Sequence, residues 1–147
     1  MKVVLVSSTG GHFNALCQLS SFWQRHQCTW VTFRNSTTEK VLQGQPTFWA
    51  YGPTNRSLKN LVRNLLLSAQ VLQQAKPDLV LSTGAGVAVP FLILAKLMGI
   101  KTAFLESFTR VEDLSLSARL ALPFIDKLYV QWPQLQDKYP QAELITL

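Results

Sequence analysis

Along the chain, short and almost wholly apolar runs alternate with longer segments in which apolar residues recur every three or four positions. Runs of the first kind suit strands covered on both faces and the longer segments suit amphipathic helices, so their alternation predicts a parallel sheet flanked by helices. Strands are expected at residues 2–7, 28–33, 47–51, 78–82, 101–106 and 127–131, and residues 143–147 read as the start of another. Helices are expected at 13–25, 35–43, 57–75, 86–98 and 113–120, the fourth of them capped by Gly99. Leu79-Val80-Leu81 is purely apolar, which puts its strand at the sheet centre. No repeat, linker or low-complexity tract interrupts the pattern. The expected fold class is α/β, a Rossmann-like parallel sheet with helices on both faces, in a single domain spanning 1–147. A domain that stops as a new strand begins is expected to be half of something larger.

The 57–75 segment carries Leu58, Leu61, Val62, Leu65, Leu66, Ala69 and Leu72 at helical spacing, with Arg56, Lys59 and Arg63 gathered at its start. Two readings compete. In one, the stripe packs on the core and the basic edge is solvated. In the other, a basic amphipathic element touches anionic lipid headgroups with its first turns.

Composition narrows the function classes. With 48% hydrophobic and 15% charged residues, the 147-residue chain is globular rather than disordered, and dry enough that part of its surface is expected to meet a partner or a lipid boundary. The formal charge of +6 calls for an anionic partner. A phosphorylated substrate or an anionic lipid fits better than nucleic acid, because the positive charge is dispersed and the aromatics fall inside expected strands. Cys17 and Cys28 have neither CxxC spacing nor a neighbouring histidine, so they read as small buried residues and not as metal ligands. The longest apolar run, residues 87–100, is broken by Pro90 and Lys96 and is shorter than the roughly 20 residues of a membrane-spanning helix. The first strand begins at residue 2, so a cleaved signal peptide is not expected. Membrane contact would come from the surface.

Candidate chemistry concentrates where strands end. Ser8-Thr9-Gly10-Gly11-His12 follows Val3-Val4-Leu5-Val6 and opens a helix, which presents bare backbone N–H groups suited to phosphate. His12 then stands at the mouth of an anion site, as a general base or a phosphate ligand. Thr83-Gly84-Ala85-Gly86 repeats that logic, with Pro90 near the first turn of the following helix. In an open α/β sheet both loops lie at the ligand-binding edge. The bland alternative is that each glycine only permits a tight turn. Glu106 ends another apolar strand and is either a proton-exchanging acid or a structural one that binds Arg110 or caps backbone N–H groups. Asp113 is expected to cap the next helix, His26 to lie at the surface, and Trp132 to seal the core or stack on a sugar. Neither the G-x-G-x-x-G fingerprint nor G-x-x-x-x-G-K-[ST] is present, so no nicotinamide, flavin or other cofactor is expected, nor P-loop nucleotide hydrolysis.

Ser8-Thr9-Gly10-Gly11-His12, Ser82-Thr83-Gly84-Ala85-Gly86 with Pro90, Glu106-Ser107-Phe108 with Arg110, and Val130-Gln131-Trp132-Pro133 with Tyr139-Pro140 resemble the PssD-type polysaccharide-biosynthesis proteins. They are similar, too, to the membrane-recruiting subunit of the dolichol-linked N-acetylglucosamine transferase and to the N-terminal half of the peptidoglycan transferase that glycosylates lipid I. The resemblance implies the N-terminal half of a GT-B fold, with a separate UDP-sugar-binding C-terminal-half subunit as partner and a polyprenyl-diphosphate-linked saccharide as acceptor. It implies further that Thr9, Gly10, Gly11, Gly84 and Gly86 contact the acceptor diphosphate, and that His12 or Glu106 is the base. Non-catalytic recruitment of a partner transferase to the membrane is the alternative. Eukaryotic members carry an N-terminal membrane helix ahead of the first strand. Here contact with an anionic membrane, at the cytoplasmic face, is expected of Arg56, Lys59 and Arg63, or of the partner.

Overall fold

The computed structural model describes residues 1–54 and 56–146. Seven parallel strands form one sheet in the order β3-β2-β1-β4-β5-β6-β7. They are β1 (Lys2–Ser7), β2 (Gln27–Thr32), β3 (Thr47–Trp49), β4 (Leu79–Gly84), β5 (Lys101–Leu105), β6 (Lys127–Val130) and β7 (Glu143–Leu144). Of the expected strand at 143–147, Leu147 lies outside the described residues. The order reverses between β1 and β4. That reversal opens a crevice at the carboxyl ends of these two strands, where ligands of such sheets bind.

Successive side chains of each strand point to opposite faces, and both faces are covered. Val4, Val6, Val80 and Phe104 face one core, with α4 (Leu58–Ala75), α5 (Ala88–Leu97) and α6 (Leu116–Ala121). Val3, Leu5, Trp30 and Leu81 face the other, under α1 (Gly11–Cys17). Three short helices complete the set: α2 (Ser20–Trp23), α3 (Ser36–Val41) and α7 (Pro133–Lys138).

Several boundaries differ from expectation, each with a local cause. The helix expected at 13–25 is two pieces, because the chain turns at Leu19 and the Trp23 indole donates to the Leu16 carbonyl at 3.1 Å. That bond satisfies a helix-end acceptor and sets Trp23 edge-on against Trp30, with ring centroids 5.2 Å apart. The helix expected at 113–120 starts at Leu116, and Ser115 caps it in place of Asp113. Asp113 instead accepts from the Leu114 amide and the Tyr139 hydroxyl and pairs with Lys138. Gly99, with φ 79°, follows α5 as expected. Cys17 and Cys28 are half-buried free thiols, and burial pushes both up from the ordinary thiol range.

The largest departure is in α4. Its first turns do not pack their leucines inward: Leu58, Leu61, Val62, Leu65 and Leu66 are exposed, while Asn60, Asn64, Leu67, Ser68, Val71 and Leu72 are buried. The core-packing reading of the stripe therefore fails for its first half. No helix among the described residues is long and apolar enough to cross a membrane.

Candidate functional site

The β1–α1 loop and the β4–α5 loop meet at the strand-order reversal. Parallel pairing of β1 with β4 shifts register there, so that Val6 faces Ser82 but Ser7 faces Gly84. Thr83 is skipped, and a residue bulged from a ladder keeps its carbonyl for another donor. His12 Nδ1 takes that carbonyl at 2.8 Å, and Thr83 Oγ1 donates to the His12 carbonyl at 2.6 Å. The Ser8 amide donates to the Gly84 carbonyl at 2.8 Å, fastening the two loops a second time.

The partner fixes the chemistry of the ring. A carbonyl oxygen can only accept, so Nδ1 carries the hydrogen, and the neutral form of the ring has its lone pair on Nε2. Nε2 has no hydrogen-bond partner among the described residues. The half-buried ring is thus oriented as a proton acceptor.

The glycines of the two loops differ in what they need. Gly84 has φ 109°, and a Cβ built on it would stand 2.9 Å from His12 Nδ1. It is there so that the imidazole can lie against backbone. Gly86 faces Thr54, whose Oγ1 would be 3.2 Å from such a Cβ. Gly10 has φ 73°, the left-handed conformation that favours glycine. Gly11 is exposed, has no such φ, and has nothing within 4 Å of a built Cβ. Nothing among the described residues requires a glycine at that position. No side chain caps the first turn of α1, and half-buried Thr9 precedes it.

Glu106 stands just past β5, on the far side of β4 from β1, with 1% of its surface exposed. Its Oε1 accepts from the Ser107 amide at 2.9 Å, and its Oε2 from the Ser115 amide and hydroxyl at 2.8 and 2.9 Å. The carboxylate caps the backbone of the loop it belongs to, makes no ion pair with Arg110 among the described residues, and is not hydrogen-bonded to His12. Gln131 donates to the Glu106 carbonyl at 3.1 Å. Trp132 neither seals the core nor stands free: its Nε1 donates to the Phe108 carbonyl at 2.6 Å and its ring lies 5.0 Å from that of Phe108.

Arg56, Lys59 and Arg63 are all exposed, and the Arg63 guanidinium lies over the Tyr51 ring at 5.4 Å. Beside them are the uncovered leucines of α4, so the basic cluster and the apolar face coincide. Two open concavities, of about 470 and 730 Å³, lie instead at the amino ends of the strands around Lys2, His26 and Gln27. Neither includes His12 or the glycine loops. No group of three or more potential metal ligands occurs among the described residues.

Sequence reasoning singled out His12, the glycines and Glu106, but not Thr83 as the partner of His12, nor Thr54, Asn60, Asn64 and Ser115. A usable signal existed for two of them. Asn60 and Asn64, four apart in a leucine-rich helix, must be satisfied by something if that face is inward.

A family model described as "Oligosaccharide biosynthesis protein Alg14 like" matches residues 52–147. The UDP-N-acetylglucosamine transferase subunit alg14 of Schizosaccharomyces pombe is 45% identical over 74 residues, covering 47% of this chain and 35% of that protein. The human subunit ALG14 is 38% identical over 87 residues, covering 55% of this chain and 40% of its own length. The chain thus matches well under half the length of these relatives. Among solved structures, MurG of Acinetobacter baumannii superposes with a TM-score of 0.69 at 20% identity, over 91% of this chain and 43% of MurG. The UDP-GlcNAc 2-epimerase of Methanocaldococcus jannaschii superposes with a TM-score of 0.72 at 15% identity, over 99% of this chain and 45% of the enzyme. The fold is one half of a GT-B architecture.

Proposed function

This chain belongs to the Alg14-like oligosaccharide-biosynthesis family, and from that premise we propose that it is the acceptor-side half of a two-component, UDP-sugar-dependent glycosyltransferase. Its acceptor is a polyprenyl-diphosphate-linked saccharide. The names of its relatives support UDP-N-acetylglucosamine as the donor. A separate subunit of the same architecture binds that donor and closes the open carboxyl rim.

The observation that carries this reading is the His12 ring, held by the Thr83 carbonyl with Nε2 left as the acceptor atom. The acceptor hydroxyl oxygen bonds to the anomeric carbon of the donor sugar, its proton passes to Nε2, and UDP departs with the bonding electron pair. The amides around Gly10 and Gly11, with Thr9, Gly84 and Gly86 alongside, bind the lipid diphosphate. Open space at Gly11 supports close approach of a ligand to the backbone. Glu106, with both oxygens engaged by its own loop, acts as a positioning residue rather than as the base.

The exposed leucines of α4 and the adjacent Arg56, Lys59 and Arg63 meet the anionic cytoplasmic face of the membrane that holds the acceptor. Catalysis needs both halves. Purified chain mixed with UDP-N-acetylglucosamine and a short-chain polyprenyl-diphosphate-linked N-acetylglucosamine is expected to transfer nothing until the UDP-sugar-binding subunit is added. Full turnover by the chain alone would reject the divided enzyme.

A second reading has its own support in the α4 surface: a non-catalytic subunit that brings the partner to the membrane. It requires the partner to transfer sugar unaided and to be indifferent to His12.

A further inference from the structure

We infer that Asn60 and Asn64 are positioning residues of the acceptor site, holding the 51–54 loop as a wall against the Gly84–Gly86 turn; this rests on the site reading above. Asn64 uses its side-chain amide twice on one residue, accepting from the Tyr51 N–H at 2.9 Å and donating to the Tyr51 carbonyl at 3.0 Å. Asn60 donates to the Pro53 carbonyl at 2.8 Å. The next residue, Thr54, covers Gly86 so closely that a Cβ there would lie 3.2 Å from its Oγ1 and 3.5 Å from its Cβ. Gly84, two residues earlier in the turn, lies against His12. Hydrogen bonds from α4 to the 51–53 backbone, Thr54 packed over Gly86 and Gly84 against His12 therefore link the inner face of α4 to the imidazole.

Burial alone does not account for asparagine at these places. Asn60 and Asn64 are 8% and 1% exposed, and asparagine is a poor helix former whose amide must be satisfied when buried. Further along the same face, α4 buries Leu67, Val71 and Leu72 against the core. The two amides occur only in the turns beside the loop, and their side-chain bonds all go to loop backbone. On the opposite side of those turns are the exposed Leu58, Val62 and Leu66, while Arg63 flanks the loop with its guanidinium over the Tyr51 ring. One helix therefore faces the proposed lipid boundary with one side and grips a wall of the diphosphate site with the other.

The experiment compares wild type with Asn64→Leu and Thr54→Ala. Amide hydrogen exchange is followed on the full chain, and acceptor KM and kcat are measured with the UDP-sugar-binding subunit, UDP-N-acetylglucosamine and short-chain polyprenyl-diphosphate N-acetylglucosamine. In Asn64→Leu, which removes both bonds to Tyr51, exchange at 51–54 and at 83–86 is expected to quicken by about tenfold or more, since one lost hydrogen bond is already on that scale. Acceptor KM rises by a similar factor while donor KM stays constant, a split that simple loss of folded protein would not give. Unchanged exchange at 83–86 overturns the inference. Should Asn64→Leu not fold, Thr54→Ala carries the test, since its backbone bonds are kept: acceptor KM must rise, and an unaltered KM overturns the link. If wild type transfers nothing with its partner, the proposed function falls, while the exchange result still decides whether α4 holds the turn.

Discussion

His12 and Thr83 are bonded to each other twice, ring nitrogen to carbonyl at 2.8 Å and hydroxyl to carbonyl at 2.6 Å, across 71 residues of sequence. This reciprocity fixes both the position and the tautomer of the imidazole. His12→Ala is expected to lower transfer by the reconstituted pair by about a hundredfold or more, the usual worth of a general base. Thr83→Val keeps the carbonyl and loses only the return bond, so its deficit should be smaller. Undiminished turnover in His12→Ala would remove the ring from the mechanism.

Two glycines of the site separate folding from binding. In Gly84→Ala the new methyl would stand 2.9 Å from His12 Nδ1 at a φ of 109°, so both stability and transfer should fall. Gly11→Ala meets nothing within 4 Å, and its stability should stay within about 0.5 kcal/mol of wild type. Its activity should nonetheless drop by about tenfold or more if the diphosphate lies against that backbone, as one charge-assisted bond is lost. Denaturant titration beside a transfer assay checks the pair.

Glu106→Gln places a donor where the native oxygens accept only. At least one of the Ser107 and Ser115 donors would face an amide NH₂, at a cost of about 1–3 kcal/mol. A stability loss of that size is the signature of the capping role. Wild-type stability with lost turnover would instead return Glu106 to the chemistry.

Replacing Leu58 and Leu66 together by serine removes apolar surface that is mostly in solvent already, 75% and 67% exposed, so thermal stability should fall little. Binding to vesicles containing phosphatidylserine should fall. Removing the charges of Arg56, Lys59 and Arg63 should weaken binding by about 1 kcal/mol each, with a shallower salt dependence. Sedimentation with neutral and anionic vesicles distinguishes the two contributions.

Acid sensitivity follows from two aspartates. The bond from Lys96 holds Asp126 below the usual carboxylate range, helped by the Thr102 amide; the Tyr139 hydroxyl and the Leu114 amide do the same for Asp113. A depressed native pKa adds stability that is complete above the unfolded value of about 4 and is lost as pH falls through the native one. Asp126→Asn should therefore melt below wild type at pH 7, by about 1 kcal/mol in stability, with the gap narrowing toward pH 3. A gap independent of pH would exclude the linkage.

The sheet was legible because β1, β4 and β5 each hold an unbroken apolar run, at 3–6, 79–81 and 103–105, and the loops because two glycines stand at the carboxyl end of β1 and two at that of β4. Proximity of the two loops could be expected from the strand-order rule, but not the skipped residue that hands the Thr83 carbonyl to His12. Register shifts leave no periodic mark. The stripe on α4 misled for a related reason: Leu58, Leu61, Val62, Leu65 and Leu66 have the spacing of a core face, and periodicity carries no sign that says which side is inward. Two asparagines decided it, through bonds to Tyr51 and Pro53 whose acceptors and donors lie in a distant loop. Likewise Asp113 looked like a cap until Ser115, two residues on, proved nearer the helix start.

Directional anchoring of α4 has a consequence for how its outer surface can vary. A helix seated by greasy contacts alone could roll about its axis to hide newly added leucines, whereas rolling this one would strand two carboxamides and the main-chain groups they satisfy. Its azimuth is therefore insensitive to what the outward side carries. That side can drift in greasiness and charge while the cleft beside His12 keeps its shape.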